Sequence, residues 1–317
     1  MASRTTQKAK VGGRELTFSN LEKVLWPRDG YTKGDLITYY LSVAKWLLPH
    51  LKDRPLTLQR YPDGIGGQSF FEKQAPKFTP DWIRTIDVSA EQGARKVAYI
   101  LCNDEATLAW CANLAAIVLH VWYSHRPTLE YPDYALFDLD PAEACTMKTL
   151  ATVALEFADM LAEIGLKPLV KTTGGSGLHV VIPLQSKYSY EAVKQFAEIA
   201  ARRVAHELPK LTTLERSIAR RPKGTVLLDW VQVGRGKTVV PPYGVRARDG
   251  APVSMPLDWS EVKAMGSKRS TPEAANGRWT IANARKRLQS EGDLWGGKAW
   301  KPAALEPALK KAQRAWG

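Results

Sequence analysis

A mixed α/β (α+β) fold, with a central mixed sheet that carries the chemistry and helices flanking it, is predicted by three features of the sequence. Residues Tyr134-Ala-Leu-Phe-Asp-Leu-Asp140 alternate as a half-buried strand, with Ala135, Phe137 and Leu139 on one face and Leu136, Asp138 and Asp140 on the other. Leu150, Val153, Ala154, Phe157, Met160, Leu161 and Ile164 then fall on one helical face; Gly165 stops the helix, and Pro168-Leu-Val-Lys-Thr172 is the next strand. Finally, Thr225-Val-Leu-Leu-Asp-Trp-Val-Gln232 is an apolar strand with a carboxylate inside it.

The first of these strands holds a chemical problem. Two carboxylates two residues apart on one strand face are close like charges, costly unless a cation neutralises them. Hard oxygen ligands at that spacing suit Mg²⁺ or Mn²⁺. Pro141 cannot continue a central strand, so the pair is expected at the strand's end, where open α/β folds build their sites. A bare D-x-D also fits a solvated carboxylate pair, so the surrounding sequence has to decide.

The 317 residues allow one large or two modest domains. With 45 Lys and Arg against 32 Asp and Glu, the formal charge is +13, which favours a polyanionic partner, nucleic acid first. Cys102, Cys111 and Cys145 form no C-x-x-C pair and no zinc spacing. The odd count, with no signal peptide, argues for a reducing cytoplasm, and the apolar runs are far short of a membrane span.

In chain order, residues 1–13 are polar and basic and are expected to be a flexible N-terminus. Ser19-Asn-Leu-Glu-Lys-Val-Leu-Trp26 fits a short helix capped by Ser19, and Pro27 to Gly30 a turn. Thr32-Lys-Gly-Asp35 is a capping-box variant opening an amphipathic helix to about His50. Lys23 and Lys33 flank the turn beside that helix's N-terminus; they fit either two solvated lysines or a pocket for a terminal phosphate. Pro55–Tyr61 reads as a strand, a Gly-rich turn follows at 62–67, and of Phe70 and Phe71 one ring is expected in the core and the other outside. Residues 96–102 read as a buried strand, Asp104 as the cap of a helix to about Ala116, and Ile117–Trp122 as a strand carrying His120. A lone strand histidine fits a hydrogen-bonded core residue as well as a site residue.

Thr173-Gly-Gly-Ser-Gly-Leu-His-Val-Val-Ile182 places a Gly/Ser turn, with backbone N–H groups and small hydroxyls suited to phosphates, before a strand carrying His179. A helix is expected from about Tyr190 to His206. The basic stretch Arg216–Gly224 fits a solvated hairpin tip or a phosphate contact. Asp229, in its apolar strand, needs a partner, and a metal is the natural one. Residues 233–248 are read as a mobile basic loop set, 249–275 as a Pro/Gly/Ser-rich connection, 280–290 as a helix, and 297–317 as a basic C-terminal tail, helical or flexible. Asp138, Asp140 and Asp229, two histidines and a ring of Arg and Lys suggest two-metal nucleotidyl transfer.

Together, Phe-Asp-Leu-Asp-Pro at 137–141, Thr-Gly-Gly-Ser-Gly-Leu-His at 173–179 and Leu-Asp-Trp-Val-Gln at 228–232 resemble the polymerase domain of bacterial ligase D, in the archaeo-eukaryotic primase superfamily. The resemblance implies a primase–polymerase domain over about 14–296, with an N-terminal subdomain of about 14–115 and a catalytic core of about 116–250. It implies that Asp138, Asp140 and Asp229 hold two ions, Mn²⁺ or Mg²⁺, and that NTPs or dNTPs are substrates. By the same resemblance, Thr173, Ser176, His179, Lys237 and Arg246 hold the triphosphate. His120 and Gln232 line the nucleotide site, where ribonucleotides are often favoured. Phe71 stacks on a template base, and Asn20, Lys23 and Lys33 grip the 5′-phosphate of a gap or broken end. Arg60, and one or both of Arg220 and Arg221, complete the DNA contacts.

The chain departs from the family pattern at Ser176 and Gln59, where relatives often carry Lys, and Lys237 is a candidate replacement cation. No ligase or phosphoesterase motif is read. Ku and a separate DNA ligase are the partners implied beside DNA with gaps or broken ends, in a prokaryotic, nucleoid-associated setting. The reading is then a polymerase extending 3′ ends in non-homologous end joining. Its rivals are a primase that needs no primer, an idle end-binding module that recruits partners, and a metal-dependent nuclease or phosphatase.

Overall fold

A computed structural model of the chain describes residues 5–89 and 96–316. They form two compact units, 1–127 with 238–254 and 279–292, and 128–237 with 255–278 and 293–317, of which residues 1–4, 90–95 and 317 are outside the description. The first unit starts with strands β1 (Thr6–Val11), β2 (Arg14–Ser19), β3 (Val24–Trp26) and β4 (Tyr31–Thr32) and helix α1 (Lys33–Leu51). It continues through β5 (Pro55–Arg60), β6 (Phe70–Glu72), β7 (Thr85–Ser89), β8 (Lys96–Leu101), α2 (Glu105–Asn113) and β9 (Ala116–Trp122). The second unit follows with β10 (Tyr134–Pro141), α3 (Met147–Glu163), β11 (Leu169–Thr172), β12 (Leu178–Pro183), α4 (Tyr190–Glu207), β13 (Thr212–Thr213) and β14 (Val226–Asp229). The chain returns to the first unit for β15 (Thr238–Val239) and to the second for β16 (Pro256–Leu257), α5 (Trp259–Gly266) and α6 (Pro272–Asn276). It ends with α7 (Ala284–Glu291) in the first unit and α8 (Leu305–Trp316) in the second.

In the second unit a six-stranded sheet runs β13-β14-β10-β12-β11-β16. The predicted strand–helix–strand unit is β10–α3–β11, with β12 inserted between its strands and antiparallel to both. Thr146 caps α3 by accepting from the Thr149 N–H, and Ile164 and Gly165 (φ +84°) end it as expected. The core lies under the apolar face of β10. Phe137 is 1% exposed, its ring 4.8 Å from Phe157 of α3 and 6.3 Å from Phe196 of α4. That packing sets the register of β10, because a one-residue slip would drive both carboxylates into the core.

The first unit holds the sheet β15-β9-β5-β8-β7, with β6 paired to β5. The Thr32–Asp35 capping box forms on α1, and Asp104 caps α2. α2 ends at Asn113 rather than near Ala116, since Ala116 already pairs with Arg60 in the sheet.

Several expectations are overturned. Residues 6–11 of the supposed flexible terminus pair with β2 through the two-residue Gly12-Gly13 turn, both glycines at positive φ; residues 1–4 of that stretch lie outside the described residues. No helix forms at 19–26. Asn20 is left-handed (φ +52°), the Ser19 N–H donates to Asn113, and Val24 pairs with Thr32, so strand pairing overrides the local cap signal. Phe70 and Phe71 are both exposed. The 233–248 loop set is not loose throughout: Tyr243 and Val245 are buried, and Tyr39 and Tyr40 hydrogen-bond their backbones. The 249–275 connection contains β16, α5 and α6, and α5 is opened by the capping box Asp258-Trp-Ser-Glu261. Of the two forms expected for the tail, residues 305–316 take the helical one, as α8, with Leu305, Ala308 and Ala312 buried. No helix among the described residues is long and apolar enough to cross a membrane.

Phe137→Ala should cost about 3–5 kcal/mol in denaturant unfolding, because it opens a cavity between two helices and the strand that carries the carboxylates.

Candidate active site

Asp138 lies at the middle of a cross-strand row. On one side it faces His179 of β12, and on the other Asp229 of β14. Asp140 stands two residues on, past Leu139, on the same face of β10. Pro141 is the last residue of the strand and pairs with Val226, so the carboxylates sit near the strand end as its sequence implied.

Each carboxylate is engaged by a different group. His179 Nε2 is 3.4 Å from Asp138 Oδ1. Arg221 Nη1 donates to Asp140 Oδ2 at 2.6 Å. Asp229, 7% exposed, accepts from the Val231 N–H at 3.1 Å and from Gln232 Nε2 at 3.0 Å, with Arg216 Nε 3.6 Å away. Burial raises the Asp140 carboxyl above its ordinary range; the Arg221 hydrogen bond opposes that, and the charges of Asp138 and Asp229 add to it. No three His, Cys, Asp or Glu side chains among the described residues are grouped as a metal-ion site. Each acid has its own partner: Asp138 has His179, Asp140 has Arg221, and Asp229 has Gln232 and Arg216. As a donor set, three hard carboxylates on one sheet face still match a hard dication.

The Gly/Ser turn is built around Thr173. Its N–H donates to the Gly177 carbonyl at 3.0 Å, and its Oγ1 accepts from the Gly175 and Gly177 N–H groups at 3.1 and 3.2 Å. Three of the turn's N–H donors, those of Thr173, Gly175 and Gly177, are therefore spent on its own shape. A Cβ at Gly177 would lie 2.4 Å from the Leu139 carbonyl, between the two catalytic-type aspartates. Behind the turn, the buried Asn276 of α6 donates to the Ser176 carbonyl at 3.0 Å. Lys237 places its ammonium on the Val231 carbonyl; burial lowers its pKa, the Arg216 charge lowers it further, and Asp229 opposes both.

Of the two arginines left open by the sequence, Arg221 is the one on the carboxylates. Arg220 is exposed and bound to Glu215. Sequence reasoning missed Arg216 and Asn276. Arg216 was visible within a basic stretch, but nothing local aimed it at Asp229; Asn276 carries no sequence signal at all.

The remaining candidates belong to the first unit. His120 on β9 places Nε2 3.4 Å from Gln59 Oε1, and its ring lies 5.4 Å from that of Phe71. Burial, and secondarily the charge of Arg246, pushes its pKa down to about 3. Arg60 donates to Glu72 at 3.0 Å and to the Leu114 carbonyl at 3.0 Å, and its guanidinium covers the Phe70 ring. Lys23 is paired with Asp63 at 2.8 Å. Lys33 is 4% exposed, with Nζ 3.1 Å from the Asn113 carbonyl and 3.4 Å from Ser19 Oγ. The first α1 N–H groups are also occupied, those of Lys33 and Gly34 by the Lys23 and Leu21 carbonyls and that of Asp35 by Thr32 Oγ1. With these donors taken, the start of α1 has few backbone N–H groups left for an anion. Asn20, beside them, is held by its N–H to the Thr5 carbonyl.

Comparison with known proteins adds a consistent set of likenesses. The family profile "LigD, primase-polymerase domain" matches residues 32–295. The multifunctional non-homologous end joining protein LigD of Mycolicibacterium smegmatis is 34% identical over 247 residues, 77% of this chain and 32% of the relative. The bifunctional LigD of Bacillus subtilis is 32% identical over 251 residues, 79% of this chain and 40% of the relative. The chain thus spans roughly a third of the length of the curated relatives it matches. Among solved structures, the polymerase domain from Mycobacterium tuberculosis ligase D in complex with DNA aligns with a TM-score of 0.80 at 32% identity, covering 88% of this chain and 96% of that one.

Gly177→Ala should lower unfolding free energy by about 2 kcal/mol or more in urea, because backbone must move, whereas Gly66→Ala, with nothing near its Cβ position, should stay within about 0.5 kcal/mol. His120 supplies a pH signature. The unfolded imidazole takes a proton near pH 6.5, while the folded one does not until about pH 3, so stability falls as pH drops through that window. Between pH 7 and pH 5 the wild type should lose about 2 kcal/mol more than His120→Gln in urea titrations.

Proposed function

Since the chain belongs to the LigD primase–polymerase family, we propose that it is a metal-dependent nucleotidyltransferase that extends 3′ ends at gaps or double-strand breaks during end joining, favouring ribonucleotides. The observation that carries this reading is the register of the second unit's sheet: Asp138 and Asp229 directly opposite each other, Asp140 two residues on, and His179 on the far side of Asp138. Bound by these three carboxylates, two Mn²⁺ or Mg²⁺ ions would acidify the attacking 3′-hydroxyl and offset the charge of the departing pyrophosphate.

The chain's own residues do the rest. His179 and Gln232 hold Asp138 and Asp229 in fixed orientations. Arg221, Arg216 and Lys237 supply positive charge where that of the phosphates grows. The Thr173–Gly177 turn offers its remaining backbone donors and the Ser176 hydroxyl to the triphosphate. With its pKa near 3, His120 is a neutral imidazole at working pH, suited to reading a sugar hydroxyl by hydrogen bond. Phe71, exposed on β6, suits stacking on a template base. Lys23, Lys33 and Asn20 remain the proposed 5′-phosphate site. There Lys23 must exchange Asp63 for the phosphate, and Lys33 acts from beneath as a buried charge. DNA with gaps or broken ends is the proposed substrate, and Ku and a separate ligase the proposed partners, in a bacterial cytoplasm at the nucleoid.

Extension of a labelled primer on a gapped duplex tests the reading. The wild type with Mn²⁺ should add nucleotides, ribonucleotides faster. Asp138→Asn with Asp140→Asn should slow addition by about 10³-fold or more while still binding the gap. A 5′-phosphate at the gap should tighten binding for the wild type and much less for Lys23→Ala. Shortened strands would point to a nuclease, and equal extension by the aspartate variant would refute the assignment of the site.

A further inference from the structure

A cavity of about 610 Å³ in the second unit opens where the loop after α5 meets the start of α3. Thr146, Lys148, Lys268, Arg269, Ser270 and Thr271 line it. Its charge is one-sided. Lys148, Lys268 and Arg269 are exposed, and among the described residues none of their side chains enters an ion pair or hydrogen bond. No acidic side chain lines the cavity.

The arrangement is unfavourable as it stands. The first turn of α3 holds no acidic residue and instead carries Lys148, a cation at the positive end of a 17-residue helix. Two more cations face the same space from the 266–271 loop, which the Met147 N–H ties to α3 through the Ser270 carbonyl at 3.3 Å. Hydroxyls of Thr146, Ser270 and Thr271 alternate with the charges. The first N–H groups of α3 are taken by the Ser270 carbonyl and Thr146 Oγ1, so the site rests on its side chains: three unpaired cations with hydroxyls between them form a receptor for a multiply charged oxyanion, that is, for phosphate groups.

We propose that this pocket binds backbone phosphates of the DNA strand on which the enzyme works, as a contact separate from the catalytic carboxylates. The inference rests on the polymerase reading for its choice of occupant. The covalent chain limits the distance: only six residues separate Asp140 from Thr146, so their Cα atoms are no more than about 22 Å apart. At about 3.4 Å per nucleotide, the pocket is then within about six nucleotides of the reacting end. A contact there would fix the strand's path without reading its sequence.

The test is the salt dependence of gapped-duplex binding, followed by fluorescence anisotropy between 50 and 200 mM salt. Replacing Lys148, Lys268 and Arg269 together by Gln should make the log–log slope shallower by about 2.7, since each phosphate left without its cation takes away about 0.9. At saturating DNA the extension rate should match that of the wild type. A control that removes three other exposed charges, Lys45→Gln, Lys52→Gln and Lys286→Gln, should change the slope far less. Slopes equal to the control's would overturn the pocket while leaving the polymerase reading intact. A shallower slope in a protein whose wild type extends nothing would keep the pocket and refute the polymerase reading. Calorimetry with inorganic tripolyphosphate separates the sources: a binding event additional to that of the proposed triphosphate site, lost in the triple variant while the DNA slope is unaltered, would assign the pocket to free polyphosphate and overturn the DNA assignment.

Discussion

Everything in the second unit answers to one electrostatic constraint, three carboxylates on one face of one sheet. Asp138 and Asp229 are directly opposed on antiparallel strands, and Asp140 follows two residues later. At an effective dielectric of about 20, two such charges some 5 Å apart repel by about 3 kcal/mol. The sheet tolerates this because its other face is packed against α3 and α4 through Phe137, so the strand cannot shift to relieve it. Relief comes from the side chains on the charged face. Arg221, Arg216 and His179 take one acid each; burial still raises the Asp140 carboxyl, and the charges of Asp138 and Asp229 add to that. A dication on this face would offset both.

Most of this was legible in the sequence, for a physical reason. The alternation of Tyr134–Asp140, the helix face of 150–164 and the Asp229 strand are local patterns, and local patterns survive folding when the core enforces them. What failed was decided at a distance. Ser19 and Glu22 spell a helix start, but the pairing of Val24 with Thr32 wins. Phe70 and Phe71 both stay outside because β6 is a three-residue strand paired on β5, with Arg60 covering the first ring. Two signals were present and unread: Gly12-Gly13 between alternating residues is a hairpin turn, and Asp258-Trp-Ser-Glu261 is a capping box. The candidate site divides in the same way. The aspartates, His179 and Gln232 are motif residues brought together at one sheet, with His179 beside Asp138 and Gln232 on Asp229, while Arg216 and Asn276 arrive from elsewhere in the chain.

The Gly/Ser turn carries Ser176 and no lysine, and its own hydrogen bonds limit what it can offer a ligand. Thr173 Oγ1 consumes the Gly175 and Gly177 N–H groups, and Asn276 holds the Ser176 carbonyl from behind. The turn is rigid, and it has fewer donors to offer a phosphate than its glycine content suggests. With no lysine on it, positive charge near the turn has to come from neighbours. Within the second unit Lys237 and Arg216 already surround Asp229, and the lowered pKa of Lys237 records both its burial and the second cation beside it. An ammonium pushed toward neutrality gains more from an arriving anion than a solvated one does, because the anion also relieves the repulsion from Arg216.

Burial acts on the two units with opposite chemical results. It raises the acid Asp140 and lowers the base His120, so in both cases the charged form is the one penalised. Asp140 keeps a guanidinium at 2.6 Å, which holds a charge in place despite the desolvation. His120 has the neutral amide of Gln59 on one side, the Phe71 ring on another and the charge of Arg246 working against protonation, so nothing restores its cationic form. The second unit thereby keeps charged groups on its open sheet face, and His120 in the first is left uncharged. That division follows from which partners the fold supplies, since desolvation disfavours the charged form of both.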